Sequence, residues 1–405
     1  MYSTTCWIPK AHLSNYPIIP NFEQLYNEEV QKDENQAMEE DEIVKKYGLS
    51  NYDDDEDDYA KYALTKQGDG FDPDMEEDDS EVEENLIADT DSVLIAGMFD
   101  NVEVDYRLEF IVMEQSADNK YIHHDILMPN IPLTTSYLDM GSCPINGIKN
   151  IVAVSCLGKP LELWNVDSLE DTTPLVVLDP TNGAIINQAR EINDKFDDNA
   201  TVLSVGWNSL QKNILATGSA DHIIRFWDLA SMKVAHQLNH HQGKVQVCSW
   251  NPVDGSILAT GSFGENGSQA AMYLLDARQQ KTLGNWFCQC DMNDFVWNND
   301  GRLFMITFED GRVELRDMRN LNNPVWELAA HEKVCTCASI YNNGIFATGG
   351  EDKYVKIWDA KGGKPYVLKQ IDCKGDVLAC SWCPDIHGML AVGGEFGLKF
   401  FSALR

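Results

Sequence analysis

The 405-residue sequence has no run of 18 apolar residues, so it holds no helix able to cross a membrane. Its first residues, MYSTTCWIPK, lack the order of basic, apolar and small residues that marks a secretory leader. Positive charge is scarce: 31 Lys and Arg stand against 65 Asp and Glu, a formal net charge of −34. Phosphate binding is dominated by Lys and Arg, so a general nucleic-acid binder is excluded and RNA contact is expected to be indirect or confined to a local patch. Basic proteins are the better partners for such a surface. The 11 cysteines are odd in number and lack framework spacing, which reads as reduced thiols in a cytosolic or nuclear protein.

The charge is unevenly placed. Residues 23–91 hold 27 Asp and Glu against 5 Lys and Arg, and the remainder holds 38 against 26. Low hydrophobicity and like charge prevent a segment of this kind from burying enough surface to fold alone. Residues 10–90 therefore read as a disordered acidic insertion, with one helix-like island at 36–47 that ends in Lys45 and Lys46 before Gly48. Ser80, in EEDDSEVEE, has the acidic surroundings that acidophilic kinases favour and is a candidate phosphosite; the plain reading is a solvated serine.

What is present in quantity is a repeat. The stretch IFATGGEDKYVKIWDA (345–360) holds two β-rich runs joined by Gly and Asp residues suited to a tight hairpin, and ends in Trp358-Asp359. Aligned on that dipeptide, Trp227-Asp228, Leu275-Asp276, Arg316-Asp317, Trp358-Asp359 and Phe401-Ser402 follow one another at steps of 48, 41, 42 and 43 residues. A second tryptophan, at 207, 250, 297 and 382, closes another β-rich run upstream in four of these units. This is the WD40 pattern of four antiparallel strands per propeller blade. Residues 3–9 share the Trp-x-Pro ending of 248–252 and 380–384, which predicts the innermost strand of blade one, cut off from its partners by the insertion.

The expected architecture is all-β: a seven-bladed WD40 β-propeller with a long disordered acidic insertion near the N-terminus. Its parts are the strand at 3–9, the insertion at 10–90 and the propeller at 91–405. Blade two runs long, because the step from Trp164 to Trp227 is 63, and the excess reads as a polar loop at 179–200. The pattern supplies 27 strands and leaves blade seven without an outer one. Residues 3–8, a partner, or sequence beyond Arg405 are three ways to cover that edge.

Chemistry is sparse. His331, Thr348, Asp352 and Trp358 have the spacing of the buried hydrogen-bond network that ties a WD40 blade together, and are expected to form such a structural tetrad. His123-His124-Asp125 looks like a metal cluster, but neighbours on a strand face opposite sides. The pairs Cys288/Cys290, Cys335/Cys337 and Cys380/Cys383 lack a second pair at zinc-finger spacing and read as core thiols. GSFGENGS (261–268) lacks the Gly-Lys-Ser/Thr ending of a phosphate loop. No catalytic residue, metal, cofactor or small-molecule substrate is expected. His240, His241 and Lys244 are partner-binding candidates by loop position.

With the blades placed, the chain resembles the periodic tryptophan protein 1 family. The likeness lies in Thr5-Cys6-Trp7-Ile8-Pro9, YGLSNYD (47–53), YIHHDIL (121–127) and DKYVKIWD (352–359), of which YIHHDIL is not required by the repeat. The resemblance implies a nuclear and nucleolar scaffold for large-subunit precursor assembly and rRNA processing, with pre-ribosomal and basic ribosomal proteins as partners. In animals it also implies association with histones and chromatin at ribosomal RNA genes, which makes transcriptional regulation there the alternative. Two features depart from the family: the polar tail after the last blade is missing, and the loop at 179–200 carries Asp194, Asp197 and Asp198 where animal members have lysines.

Overall fold

The computed structural model describes residues 1–10 and 87–404, apart from 89, 101, 103, 115–118, 142–143, 169–171, 182, 188–197, 266–268 and 343. Residues 11–86 of the acidic insertion, with Ser80, the island at 36–47 and YGLSNYD, lie outside the described residues. The described chain forms a seven-bladed propeller. Blade one is β1 (Tyr2–Ile8), β2 (Ser92–Asp100), β3 (Asp105–Glu114) and β4 (Asn119–Leu127). Blade two is β5 (Pro132–Asp139), β6 (Asn150–Cys156), β7 (Leu161–Asn165), β8 (Val176–Asp179) and β9 (Ala184–Asn187). Blade three is β10 (Val202–Trp207), β11 (Ile214–Ser219), β12 (Ile224–Asp228) and β13 (Lys233–Leu238).

Blade four is β14 (Val245–Trp250), β15 (Ile257–Ser262), β16 (Ala270–Asp276) and β17 (Lys281–Cys288). Blade five is β18 (Met292–Trp297), β19 (Leu303–Phe308), β20 (Arg312–Asp317) and β21 (Trp326–Ala329). Blade six is β22 (Cys335–Asn342), β23 (Ile345–Gly350), β24 (Tyr354–Asp359) and β25 (Tyr366–Asp372). Blade seven is β26 (Val377–Trp382), β27 (Met389–Gly394) and β28 (Gly397–Ser402). Each sheet is an antiparallel meander, with its first strand innermost.

Burial follows position in the blade. Central strands are covered on both faces by neighbouring blades, and every residue of β6 and β7 is buried. The outer strand β13 has water on one face and alternates half-buried with exposed residues. The acidic insertion ends sooner than its composition implies: Ile87 already belongs to the core of blade one, and Asp91 is buried.

β1 pairs with β2, with Trp7 opposite Leu94, so it builds blade one as its Trp-x-Pro ending predicts and is not what covers the edge of blade seven, while two other expectations meet a different outcome. Among the described residues, nothing pairs with the outer side of β28. The loop after blade two is not all loop: β9 folds back on β8, with Asp179 opposite Ala184, and gives that blade a fifth strand. Its four residues, AIIN, are too few for a period to be read. Finally, a bulge between Phe110 and Ile111 leaves His123 without an opposite residue and breaks strict alternation. His123 Nδ1 and His124 Nδ1 consequently lie 3.0 Å apart. His124 stacks on Phe110, and burial pulls its pKa down to about 4, so it is neutral. No group of three or more metal-ligating side chains is found among the described residues.

Candidate functional site

The tetrad residues come together inside blade six. His331 Nδ1 meets Asp352 Oδ1 at 2.8 Å and His331 Nε2 meets Thr348 Oγ1 at 2.8 Å. Trp358 Nε1 donates to the same Thr348 hydroxyl at 2.9 Å. Burial lowers the pKa of His331, outweighing the opposing pull of Asp352, so the imidazole is neutral. Asp352 is held below the usual carboxylate range: burial works against this, but the His331 hydrogen bond and the Tyr354 and Glu332 amides prevail. All valences point inward, to strands and turn. Blade three keeps a reduced form, in which Trp227 Nε1 donates to Thr217 Oγ1 at 2.9 Å and Arg225 pairs with Asp221 at 2.6 Å.

The partner candidates near blade four divide. Lys244 is exposed, His240 is half-buried edge-on to Tyr273, and His241 is buried. His241 Nε2 lies 3.0 Å from Thr260 Oγ1, which makes it the blade-four counterpart of His331 rather than a surface ligand. The sequence signal was weak, because its spacing to the threonine is 19 instead of 17 and Leu275 replaces the tryptophan. Burial, with smaller repulsion from His240 and His222, lowers its pKa to about 3. A group depressed in the folded state contributes stability that is full above its unfolded pKa, near 6.5, and is lost as pH falls toward 3. His241→Asn should therefore cost stability at pH 7.5 and progressively less toward pH 5. Urea midpoints of the two proteins should converge over that range; a constant gap would contradict a neutral buried His241.

A second system joins one blade to the next. Trp250 Nε1 donates to Gly206 O at 3.0 Å, Trp297 Nε1 to Ser249 O at 3.1 Å and Trp382 Nε1 to Ser339 O at 3.1 Å. In each case the indole at the end of an inner strand reaches the inner strand of the preceding blade. Trp7 Nε1 does the same to Ser381 O at 3.2 Å, which closes the ring between blades one and seven. The asparagine after the tryptophan adds a forward latch: Asn208 Nδ2 to Gly255 O at 2.8 Å, and Asn251 Nδ2 to Gly301 O at 2.5 Å. Gly301 has φ +65, and a Cβ there would sit 2.5 Å from Asn251 Oδ1, so glycine is required.

Both devices fail between blades five and six. Ile340, just after Ser339, stands where blades one, three, four, five and seven carry Trp7, Trp207, Trp250, Trp297 and Trp382. The connection that would receive the asparagine has shrunk, since β22 ends at Asn342 and β23 begins at Ile345, with Gly344 turning the chain at φ +114. Asn298, buried directly after Trp297, has an Oδ1 with no hydrogen-bond partner, and so has Asn342. A buried orphan of this kind costs about 1–3 kcal/mol. In the space left open lies a cleft of about 340 Å³, walled by Met305, Leu315, Val325, Trp326, Ile340 and Phe346 and lined also by both asparagines. Trp326 stacks on Phe346 at 5.5 Å to form an aromatic wall. Val325 and Tyr366, at the starts of the outer strands of blades five and six, are each 56 % exposed.

A second concavity lies on the propeller axis, about 410 Å³ and lined by residues of all seven innermost strands, among them Thr4, Thr134, Ser204, Gln246, Asp294 and Thr336. Asp294 is fully committed there: Oδ2 accepts from the Ala338 amide and Oδ1 from the Phe295 amide, each at 2.8 Å. The ten described cysteines are all free thiols. Burial pushes those of Cys6 and Cys248 up to about 12, which leaves them protonated.

Comparison with known proteins agrees with this architecture. The WD domain, G-beta repeat family matches residues 192–228 and 322–359. The chain is 30% identical to an uncharacterized WD repeat-containing protein of Schizosaccharomyces pombe, over 86% of this chain and 71% of that one. It is 28% identical to periodic tryptophan protein 1 of Saccharomyces cerevisiae over 68% of its own length, and spans about half, 52%, of that relative. It is 22% identical to the periodic tryptophan protein 1 homolog of Drosophila melanogaster, over 82% of this chain and 72% of the relative.

Proposed function

The chain belongs to the periodic tryptophan protein 1 family of WD-repeat proteins, and we propose on that premise that it is a non-enzymatic scaffold of ribosome biogenesis. Its place would be the assembly of large-subunit precursors and the accompanying rRNA processing, in the nucleus and nucleolus. One observation carries the reading: the likeness to periodic tryptophan protein 1 extends over 68% and 82% of the chain in two organisms.

Three features favour a scaffold over an enzyme. The His331–Thr348–Asp352–Trp358 group spends its hydrogen bonds on the fold. The buried thiols of Cys6 and Cys248 are poor nucleophiles. The propeller presents two faces of loops, which suits protein partners. With a net charge of −34, the preferred partners are basic ribosomal and pre-ribosomal proteins. The acidic residues at 10–90 would engage or shield them, and Ser80 is the position where phosphorylation would add charge. Aspartates in the loop at 179–200 disfavour direct contact of that loop with RNA or chromatin.

The test is sedimentation. Tagged protein should travel with large-subunit precursors in a gradient, persist there after DNase and shift after RNase. Co-sedimentation with nucleosomes alone, lost on DNase treatment, would replace the scaffold reading with regulation of ribosomal RNA genes at chromatin.

A further inference from the structure

We propose that the cleft between blades five and six is a docking site for an extended segment of a partner protein, one that inserts a single large aliphatic or aromatic side chain flanked by basic residues. The cleft lies where the two inter-blade devices are both missing. Ile340 stands where Trp7, Trp250, Trp297 and Trp382 each reach the preceding blade, and Asn298 makes no bond like those from Asn208 Nδ2 and Asn251 Nδ2 to the next blade, while its Oδ1 has no partner.

Its chemistry selects the occupant. The walls are aliphatic and aromatic and leave room for one large apolar side chain. Two carboxamides line it with their oxygens unpartnered, Asn298 being 7% exposed. A carboxamide can turn to offer either a donor or an acceptor, so the pair complements the N–H and C=O of a peptide group. An extended backbone brings such groups beside every inserted side chain, as strand-like peptides do in other grooves. The exposed Val325 and Tyr366 continue the apolar surface outward on the same face. Basic flanks follow from the excess of acid outside residues 23–91, 38 Asp and Glu against 26 Lys and Arg, with Asp300 lining the cleft beside Lys361.

The inference rests on the propeller being a binding scaffold, and its test uses no ribosomal particle, so either reading can fail without the other. A random peptide library displayed on phage is selected on the full chain, and enriched peptides are synthesised with a fluorophore and titrated by anisotropy. Enriched sequences should share one large apolar residue between Lys or Arg residues. Ile340→Trp, which fills the cleft and restores the missing indole, should weaken them at least tenfold while melting no lower than the parent. Asn298→Leu should weaken them severalfold, and Lys233→Ala, on blade three, should leave them within twofold. The proposal is overturned if the selection yields no peptide that Ile340→Trp weakens, or if acidic sequences dominate. It is overturned equally if sedimentation shows a dimer that Ile340→Trp dissolves, which would make a second copy of the chain the occupant.

Discussion

Deleting residues 2–8 is expected to abolish cooperative folding of the propeller. These seven residues form the innermost strand of blade one, and their ladder to β2 runs from Tyr2 opposite Met98 to Ile8 opposite Val93. They also close the ring. Trp7 donates to Ser381 O of blade seven, Ser3 Oγ donates to Pro132 O of blade two at 2.5 Å, and Thr4 Oγ1 and Thr135 Oγ1 meet at 2.9 Å. Without the strand, β2 would present an unpaired inner edge to the axis, and blades one and seven would lose their junction. A milder form of the experiment is Trp7→Ala. Trp7 is 8% exposed and lies edge-on to Phe400 at 6.2 Å, so truncation should cost about 3–5 kcal/mol. Urea denaturation followed by circular dichroism measures both. A truncated chain with the parent's midpoint and slope would show that residues 2–8 are dispensable and that the closure lies elsewhere.

Thr348→Val should be the most damaging conservative change within a single blade. The substitution keeps the shape and removes the hydroxyl that both His331 Nε2 and Trp358 Nε1 use. Two polar groups would then be buried without partners, at about 1–3 kcal/mol each, so a loss of about 2–6 kcal/mol is expected. Blade three supplies the internal comparison. Thr217 serves Trp227 alone, so Thr217→Val should cost about half as much. Chemical denaturation midpoints decide the matter. Equal costs in the two blades would mean that the His331 bond adds nothing to stability.

The tetrad and the blade phase were legible in the sequence for the same reason. Both are properties of one unit, repeated at nearly constant spacing, and depend on local pattern: alternating apolar residues, Gly/Asp turns and a tryptophan in fixed register. The strand around Trp7 was legible because it carries the same Trp-x-Pro ending as later inner strands. What escaped was whatever depends on a neighbour. The bulge that brings His123 to His124 arises from pairing with Phe110 and Ile111 on the neighbouring strand. The burial of His241 is decided by Thr260 and Tyr273.

By itself the sequence determined the number of blades, their order, the strand at the N-terminus that completes blade one and the excess of acidic over basic residues along the chain. These are local or additive properties, readable from residue types and spacing. The tertiary structure alone decided which blade receives that strand's far side, that β9 extends blade two, and that the junction of blades five and six is left open. A junction depends on the fit between side chains of two blades. Ile340 is an ordinary strand residue when its own blade is considered, and becomes a vacancy only beside Trp297, Asn298 and the shortened turn at Gly344.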